Sequence, residues 1–170
     1  MKSNIIFIGM PASGKSTVGV VVAKRLGYEF IDTDLLIQKQ ENRLLKEIIA
    51  DVGNEGFLVI ENQVNRDVKA EKAVISPGGS VVYCQEAMEH YKEIGVIVYL
   101  KVSFETINKR ISNAKNRGVV LKDGQTLHDL YAERTMLFEK YADYIVSEEG
   151  LELEETIDKV LELFEEIVCK

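Results

Sequence analysis

The sequence predicts an α/β domain whose core is a parallel β-sheet covered by helices on both faces. Strand-like and helix-like segments alternate along the chain of 170 residues, which is the pattern of parallel strands joined by helical crossovers. The central strand candidates are apolar runs without polar alternation, as expected for strands buried on both faces. A chain of this length is expected to form a single domain, residues 1–170, with a sizeable core.

Five strands and seven helices are predicted. The strands are Asn4–Ile8, Glu29–Asp32, Ala73–Ser76, Val96–Val102 and Tyr144–Val146. The helices are Lys15–Leu26, Leu35–Asp51, Glu55–Glu71, Gln85–Ile94, Phe104–Asn113, Leu127–Lys140 and Glu154–Val168. The last helix carries an apolar stripe on one side, which predicts that it docks on the sheet.

Between the first strand and the first helix, residues 9–16 read Gly-Met-Pro-Ala-Ser-Gly-Lys-Ser, a complete phosphate-binding loop. Its two glycines let backbone N–H groups approach phosphate oxygens that a Cβ would obstruct, and the helix that follows adds the positive end of its dipole. Lys15 is expected to reach the β- and γ-phosphates, and the Ser16 hydroxyl to ligate Mg²⁺. The predicted nucleotide-binding residues of this loop are Gly9, Met10, Pro11, Ala12, Ser13, Gly14, Lys15, Ser16 and Thr17.

Two acidic residues, Asp32 and Asp34, follow the second strand. Ligands of parallel sheets bind beyond the carboxyl ends of the strands, so both residues are expected to face the phosphate-binding loop. One carboxylate can hold the water shell of Mg²⁺, and the other can orient or deprotonate a hydroxyl group for in-line attack on the γ-phosphate. A helix N-cap explains the same residue types, and Asp32 can cap a helix and still serve the metal.

The third strand is followed by adjacent glycines, Gly78 and Gly79. Paired glycines permit close approach of the backbone to a ligand, although a tight turn into the next helix explains them nearly as well. Two arginines, Arg117 and Arg134, are suited to bind phosphate or carboxylate oxygens, unless they are solvated surface residues. Arg117 lies in the polar segment 113–125, which is predicted to be a lid over the phosphates.

Composition excludes several other classes of function. A formal charge of −7 argues against a general nucleic-acid binder. The widely spaced Cys84 and Cys169 indicate thiols in a reducing compartment, not a disulfide framework or a zinc site. No apolar run approaches the length of a membrane span and no signal peptide is indicated, so the expected location is the cytoplasm, away from membranes.

Taken together, these motifs resemble the shikimate kinase family, a group of small kinases related to nucleoside-monophosphate kinases. The resemblance covers nearly the whole chain and is carried by residues 9–17 and 24–34, Glu55-x-Phe57 with Glu61, Gly78-Gly79, Val98-Tyr99-Leu100, Arg117, Glu133-Arg134 and Tyr141-Ala142-Asp143. It implies a three-layer α/β/α P-loop kinase fold with a five-stranded parallel sheet, an acceptor-binding helical region at residues 33–71 and a lid at 113–125.

The same resemblance implies phosphoryl transfer from Mg·ATP to the 3-hydroxyl of shikimate. By this likeness Asp34 contacts the substrate hydroxyls, Asp32 serves the Mg²⁺ shell, and Arg117 reaches the ATP phosphates. The implied catalytic residues are Lys15, Asp34 and Arg117, and the implied acceptor-binding residues are Asp34, Gly78, Gly79 and Arg134. The expected partner is the small-molecule acceptor alone, and the expected assembly is a monomer.

The chain departs from the family pattern on the acceptor side. Leu58 stands where the family has an Arg that helps to bind the substrate carboxylate, Ser80 replaces a third glycine, and Pro77 replaces a common Thr. A hydrogen bond to a charged group is worth about 1.5–3 kcal/mol, so the loss of this Arg predicts roughly 10- to 100-fold weaker binding of an anionic acceptor. The acceptor is then shikimate or, in a diverged paralogue, another polyol or sugar acid such as gluconate; a nucleotide-binding regulatory module is the third alternative.

The missing Arg also affects Glu61, which pairs with it in relatives. Glu61 is therefore expected to pair with another cation or to lie exposed. Arg43, Arg66 and Lys69 are candidates for a replacement charge.

Overall fold

The computed structural model describes residues 2–113 and 121–168. Its strands form one sheet in the order β2-β3-β1-β4-β5, and every neighbouring pair is parallel. The strands are β1 (Asn4–Ile8), β2 (Glu29–Asp32), β3 (Ala73–Ser76), β4 (Gly95–Lys101) and β5 (Tyr144–Ser147). The predicted parallel sheet is confirmed, with bounds that differ by one residue in β4 and β5.

Helices cover both faces of this sheet, which confirms the three-layer architecture. They are α1 (Lys15–Leu26), α2 (Thr33–Glu41), α3 (Leu45–Arg66), α4 (Gln85–Ile94), α5 (Phe104–Asn113), α6 (Leu127–Tyr141) and α7 (Leu153–Val168). Alternate residues of β1 face opposite layers, because successive side chains of a strand point to opposite sides. Ile5 and Phe7 pack with α1 and α7, whereas Ile6 and Ile8 pack with α4, α5 and α6.

The prediction of one helix over Leu35–Asp51 is wrong, because the chain turns between α2 and α3. Asn42 adopts a left-handed φ of 52° and its N–H group donates to the carbonyl of Gln38, which ends α2. Asn tolerates this conformation better than most residues, and the new helix begins at Leu45. The helix predicted at Glu55–Glu71 also ends early, at Arg66.

Helix α3 is itself bent at Gly53, which has φ 71° and ψ 179°. Gly53 lies between the helices predicted at Leu35–Asp51 and Glu55–Glu71, so a break in the helix at this position was expected. The earlier turn at Asn42 was not expected. A small apolar cluster packs α3 against α2 beside the sheet. It consists of Ile37, Ile48, Phe57 and Val64. Within the two described ranges, no helix is both long and apolar enough to cross a membrane.

Candidate active site

The phosphate-binding loop connects β1 to α1 and is shaped by its glycines. Gly14 has a φ of 91°, which L side chains rarely adopt. At Gly9 a Cβ would lie 2.9 Å from the carbonyl oxygen of Leu100, so only glycine allows this approach to β4. Because Gly14 is the N-cap of α1, it has no side chain to cap the first turn, and the amides at this end of the helix can bind an anion.

Lys15, the first residue of α1, is buried against the loop. Its Nζ donates to the carbonyl oxygens of Gly9 at 3.0 Å and Met10 at 2.9 Å. The ammonium group therefore lies directly over the loop, in the position that phosphate oxygens require of it.

A cavity of about 850 Å³ lies beside this loop, at the carboxyl ends of β2 and β3. Its walls come from the loop, the ends of β2 and β3, the helices α1, α2 and α3, and one residue of α6. Of the predicted site residues it brings together Pro11, Ala12, Gly14, Lys15, Ser16, Thr17, Asp32, Asp34, Gly78, Gly79 and Arg134. Gly9, Met10 and Ser13 are buried within the loop and do not line the cavity, while Arg117 lies outside the described residues.

Ser16 and Asp32 bring oxygen atoms together at the edge of the cavity. Ser16 Oγ lies 3.5 Å from Asp32 Oδ2. The other oxygen, Oδ1, accepts from the amides of Asp34 at 3.0 Å and Leu35 at 3.4 Å and so caps α2. The N-cap interpretation of Asp32 is therefore confirmed, and its role in the Mg²⁺ shell stays a prediction. A hydroxyl and one carboxylate oxygen fit Mg²⁺, which keeps several waters and prefers oxygen ligands. Within residues 2–113 and 121–168, no group of three His, Cys, Asp or Glu residues could hold a metal ion.

The carboxylates of Asp34 and Glu61 converge on Gly78. A Cβ at that position would lie 2.7 Å from Glu61 Oε1 and 3.0 Å from Asp34 Oδ1, so a side chain there would displace these carboxylates. Burial raises the pKa of Asp34 to about 6, Asp32 adds to the rise, and Lys15 opposes it. A carboxylate with a pKa near the working pH is suited to accept a proton from a hydroxyl group.

Glu61 is fully buried, so the expectation that it lies exposed is wrong. Its Oε2 accepts a hydrogen bond of 2.6 Å from Ser80 Oγ, while its Oε1 has no hydrogen-bond partner in the described part of the chain. Burial raises the pKa of Glu61 to about 7; the Ser80 hydrogen bond lowers it, Asp34 raises it, and Arg134 and Lys15 lower it. Among the described residues, the direct partner of this carboxylate is a hydroxyl group and not the expected replacement cation.

Arg134 of α6 is buried at the same end of the cavity, so the surface alternative is wrong for this arginine. Its Nη1 would lie 3.2 Å from a Cβ on Gly79, and its guanidinium carbon lies 5.5 Å from the centre of the Tyr83 ring. Its Nε has no hydrogen-bond partner among the described residues. A buried guanidinium beside a glycine backbone is well placed to bind a carboxylate.

Of the three candidate replacement cations, none lines the cavity. Arg43 pairs with Asp51 at 2.9 Å and Arg66 with Glu86 at 2.9 Å, both at the surface. Lys69 is exposed beyond the end of α3. Leu58 packs against the core and lines a separate cleft of about 440 Å³ between α3 and α4.

Two basic residues near the site were not predicted from the sequence. Lys46 lines the cavity from the first turn of α3, and it was not recognised because the turn at Asn42 was not predicted. Arg110 donates to the carbonyl oxygen of Ala12 at 3.1 Å and lies 3.5 Å from Glu148. The signal for Arg110 was the local concentration of basic residues before the predicted lid.

Comparison with known proteins agrees with this geometry. The sequence profile of the shikimate kinase family matches residues 11–165. A shikimate kinase of Thermodesulfovibrio yellowstonii is 34% identical over 167 residues, with 96% of each chain covered. One of Clostridium botulinum (strain 657 / Type Ba4) is 39% identical over 141 residues, covering 81% of this chain and 83% of the relative.

A solved structure extends the likeness to three dimensions. The shikimate kinase of Acinetobacter baumannii, solved in complex with shikimate, superposes with a TM-score of 0.89 at 28% sequence identity, covering 99% of this chain and 96% of that one. The profile match, the relatives and this structure agree on the family and on the fold. The chain therefore belongs to the shikimate kinase family and is a phosphotransferase.

Proposed function

We propose that this protein transfers the γ-phosphate of ATP to a hydroxyl group of shikimate. The observation that carries the proposal is a single cavity that joins the phosphate-binding loop to Asp34 and Arg134. Donor and acceptor sites in one cavity are what in-line transfer requires. The relative solved with shikimate supports the choice of acceptor.

On the donor side, Lys15 and the amides at the start of α1 bind the phosphates. Ser16 and Asp32 would hold Mg²⁺, which supplies neutralisation of phosphate charge when it is bound. The expected contact of Arg117, in the segment 113–125, with the ATP phosphates stays a prediction.

On the acceptor side, Asp34 orients the attacking hydroxyl and accepts its proton. Arg134 and the backbone at Gly78 and Gly79 bind the carboxylate, with residues 33–71 forming the acceptor-binding region. Apolar side chains of Leu45, Ile49 and Phe57 line the same cavity and give a ring of the acceptor a surface to pack on. The monomeric state and the cytoplasmic location stay predictions.

The proposal is tested by an acceptor screen that follows ADP formation with shikimate, gluconate and a neutral polyol. We expect shikimate to give the highest kcat/KM. Leu58 in place of the family Arg is the observation that favours a different acceptor, so higher kcat/KM with gluconate or the polyol would identify a diverged paralogue and overturn the choice of shikimate.

Replacing the proposed base tests the mechanism. For Asp34→Asn we expect kcat to fall by roughly 10²- to 10⁴-fold, which is the usual contribution of a positioned acid or base, while the dissociation constant of MgATP stays within about twofold of the original. Asp67→Asn, a surface change away from the cavity, is the matched control. Unchanged turnover in Asp34→Asn would show that another group takes the proton.

A further inference from the structure

The cavity has more basic residues than the sequence motifs account for. Three cationic residues line it within residues 2–113 and 121–168, namely Lys15, Lys46 and Arg134. Lys15 lies on the phosphate-binding loop and belongs to the donor side. This leaves Arg134 and Lys46 to bind an anionic acceptor.

Lys46 occupies a position where helix stability alone does not favour a lysine. It is the second residue of α3, which begins at Leu45. A cation in the first turn of a helix opposes the positive end of the dipole. In the described part of the chain no ion pair or hydrogen bond of its side chain compensates for this, although nearby Arg43 is paired with Asp51 and Glu41. The ammonium group is therefore available to a ligand.

The helical repeat places Lys46 toward the acceptor. Residues three and four positions apart share one face of a helix, and both Ile49 and Ala50 line the cavity together with Lys46. Leu45 lines it as well. The first turn of α3 thus presents an apolar surface with one positive charge beside it, which suits an acceptor with a hydrocarbon ring and a carboxylate.

The local charges give this lysine a role in selecting the acceptor. Asp34 and Glu61 both approach Gly78, and their negative charge disfavours an anion unless cations balance it. At Leu58, where the family resemblance places a second cation, the side chain is apolar and lines the separate cleft.

We infer that Lys46 is a specificity-determining residue that binds the carboxylate of the acceptor together with Arg134 and takes over the charge lost at Leu58. The inference rests on the proposed function, because it names a contact for the proposed acceptor. Lys46 takes no part in proton or phosphoryl transfer. Its removal is therefore expected to change acceptor binding and to leave the chemical step intact.

The experiment compares Lys46→Met and Lys46→Arg with the original protein, using shikimate and its methyl ester. We expect Lys46→Met to raise the KM for shikimate about tenfold, as for one lost charge-assisted contact, with kcat and the KM for ATP within about twofold. The methyl ester has no charged carboxylate, so its KM, or its inhibition constant if it is not phosphorylated, should change less than about twofold. Lys46→Arg should restore most of the affinity for shikimate, because it keeps the charge.

Lys39→Met, at an exposed position of α2 outside the cavity, is the matched control. An unchanged KM for shikimate in Lys46→Met would overturn the inference and leave the proposed function standing. Equal losses for the acid and the ester would also overturn it, because they would show that Lys46 only shapes the helix. If the original protein does not phosphorylate shikimate, the proposed function fails and the inference fails with it.

Discussion

The two halves of the cavity are built in different ways. On the proposed donor side the binding groups are mostly backbone amides of one short loop, and Lys15 Nζ donates to two carbonyl oxygens of that loop. On the acceptor side the polar groups are side chains from distant parts of the chain, with Asp34 in α2, Glu61 in α3 and Arg134 in α6. A site built from backbone amides keeps its geometry as long as a few glycines are kept. A site built from side chains can lose or gain single contacts through single substitutions.

The acceptor half shows such a change. In the family resemblance an Arg at position 58 partners Glu61, and a glycine occupies position 80. Here Leu58 faces a separate cleft, and Ser80 donates to Glu61 at 2.6 Å. The two departures thus concern the same buried carboxylate, and the serine satisfies one of its oxygens.

The largest effect is expected in the donor half. Lys15→Met should lower kcat by about 10³-fold or more, because it removes a positive charge that stabilises the transferring phosphoryl group. Thermal unfolding should remain cooperative, since methionine fills similar space. Lys24→Met, at an exposed position of α1, is the control. Retained activity in Lys15→Met would remove the basis for treating this loop as the donor site.

A second test addresses stability in the acceptor half. The pKa of Glu61 is raised in the folded protein to about 7 from an ordinary 4.5, so the folded state binds this proton more tightly than the unfolded state does. Protonated Glu61 therefore stabilises the folded protein most below about pH 4.5. This stabilisation, up to roughly 3 kcal/mol of unfolding free energy, is lost as the pH rises through about 7.

Glu61→Gln keeps an oxygen that accepts from Ser80 and removes the titration. Urea unfolding at about pH 5 and about pH 8 should show that the original protein loses more stability than this variant over that interval. Glu93→Gln, at an exposed position of α4, is expected to follow the original protein. If Glu61→Gln has the same pH dependence as the original, Glu61 is ionised throughout and Ser80 alone is sufficient to stabilise it.

The smallest expected effect concerns the missing arginine. Residue 58 lies three positions before Glu61 on α3, so we expect an arginine there to reach Glu61, whose Oε1 has no hydrogen-bond partner among the described residues. Because Lys46 and Arg134 are inferred to supply the positive charge already, Leu58→Arg should lower the KM for shikimate by less than about threefold, without changing the KM for ATP. Leu58→Met is the control for packing. A tenfold or larger fall in this KM would mean that Lys46 does not replace the arginine of the family pattern.

The sequence predicted the sheet and the phosphate-binding loop well because both depend on local signals. Apolar runs mark buried strands, and the loop is a continuous motif that needs Gly14 at a positive φ. The path from α2 to α3 was missed, because a left-handed conformation at Asn42 is only one of several that Asn adopts. The contact between Glu61 and Ser80 joins residues from different elements, and no local pattern encodes it.

The bend at Gly53 brings residues from both ends of α3 to the same cavity. Along a straight axis, Lys46 and Glu61 would be separated by roughly 22 Å at 1.5 Å per residue, yet both line the same cavity. A side chain at residue 53 would resist the φ of 71° that produces the bend. A residue that carries no functional group thus helps to set the shape of the cavity.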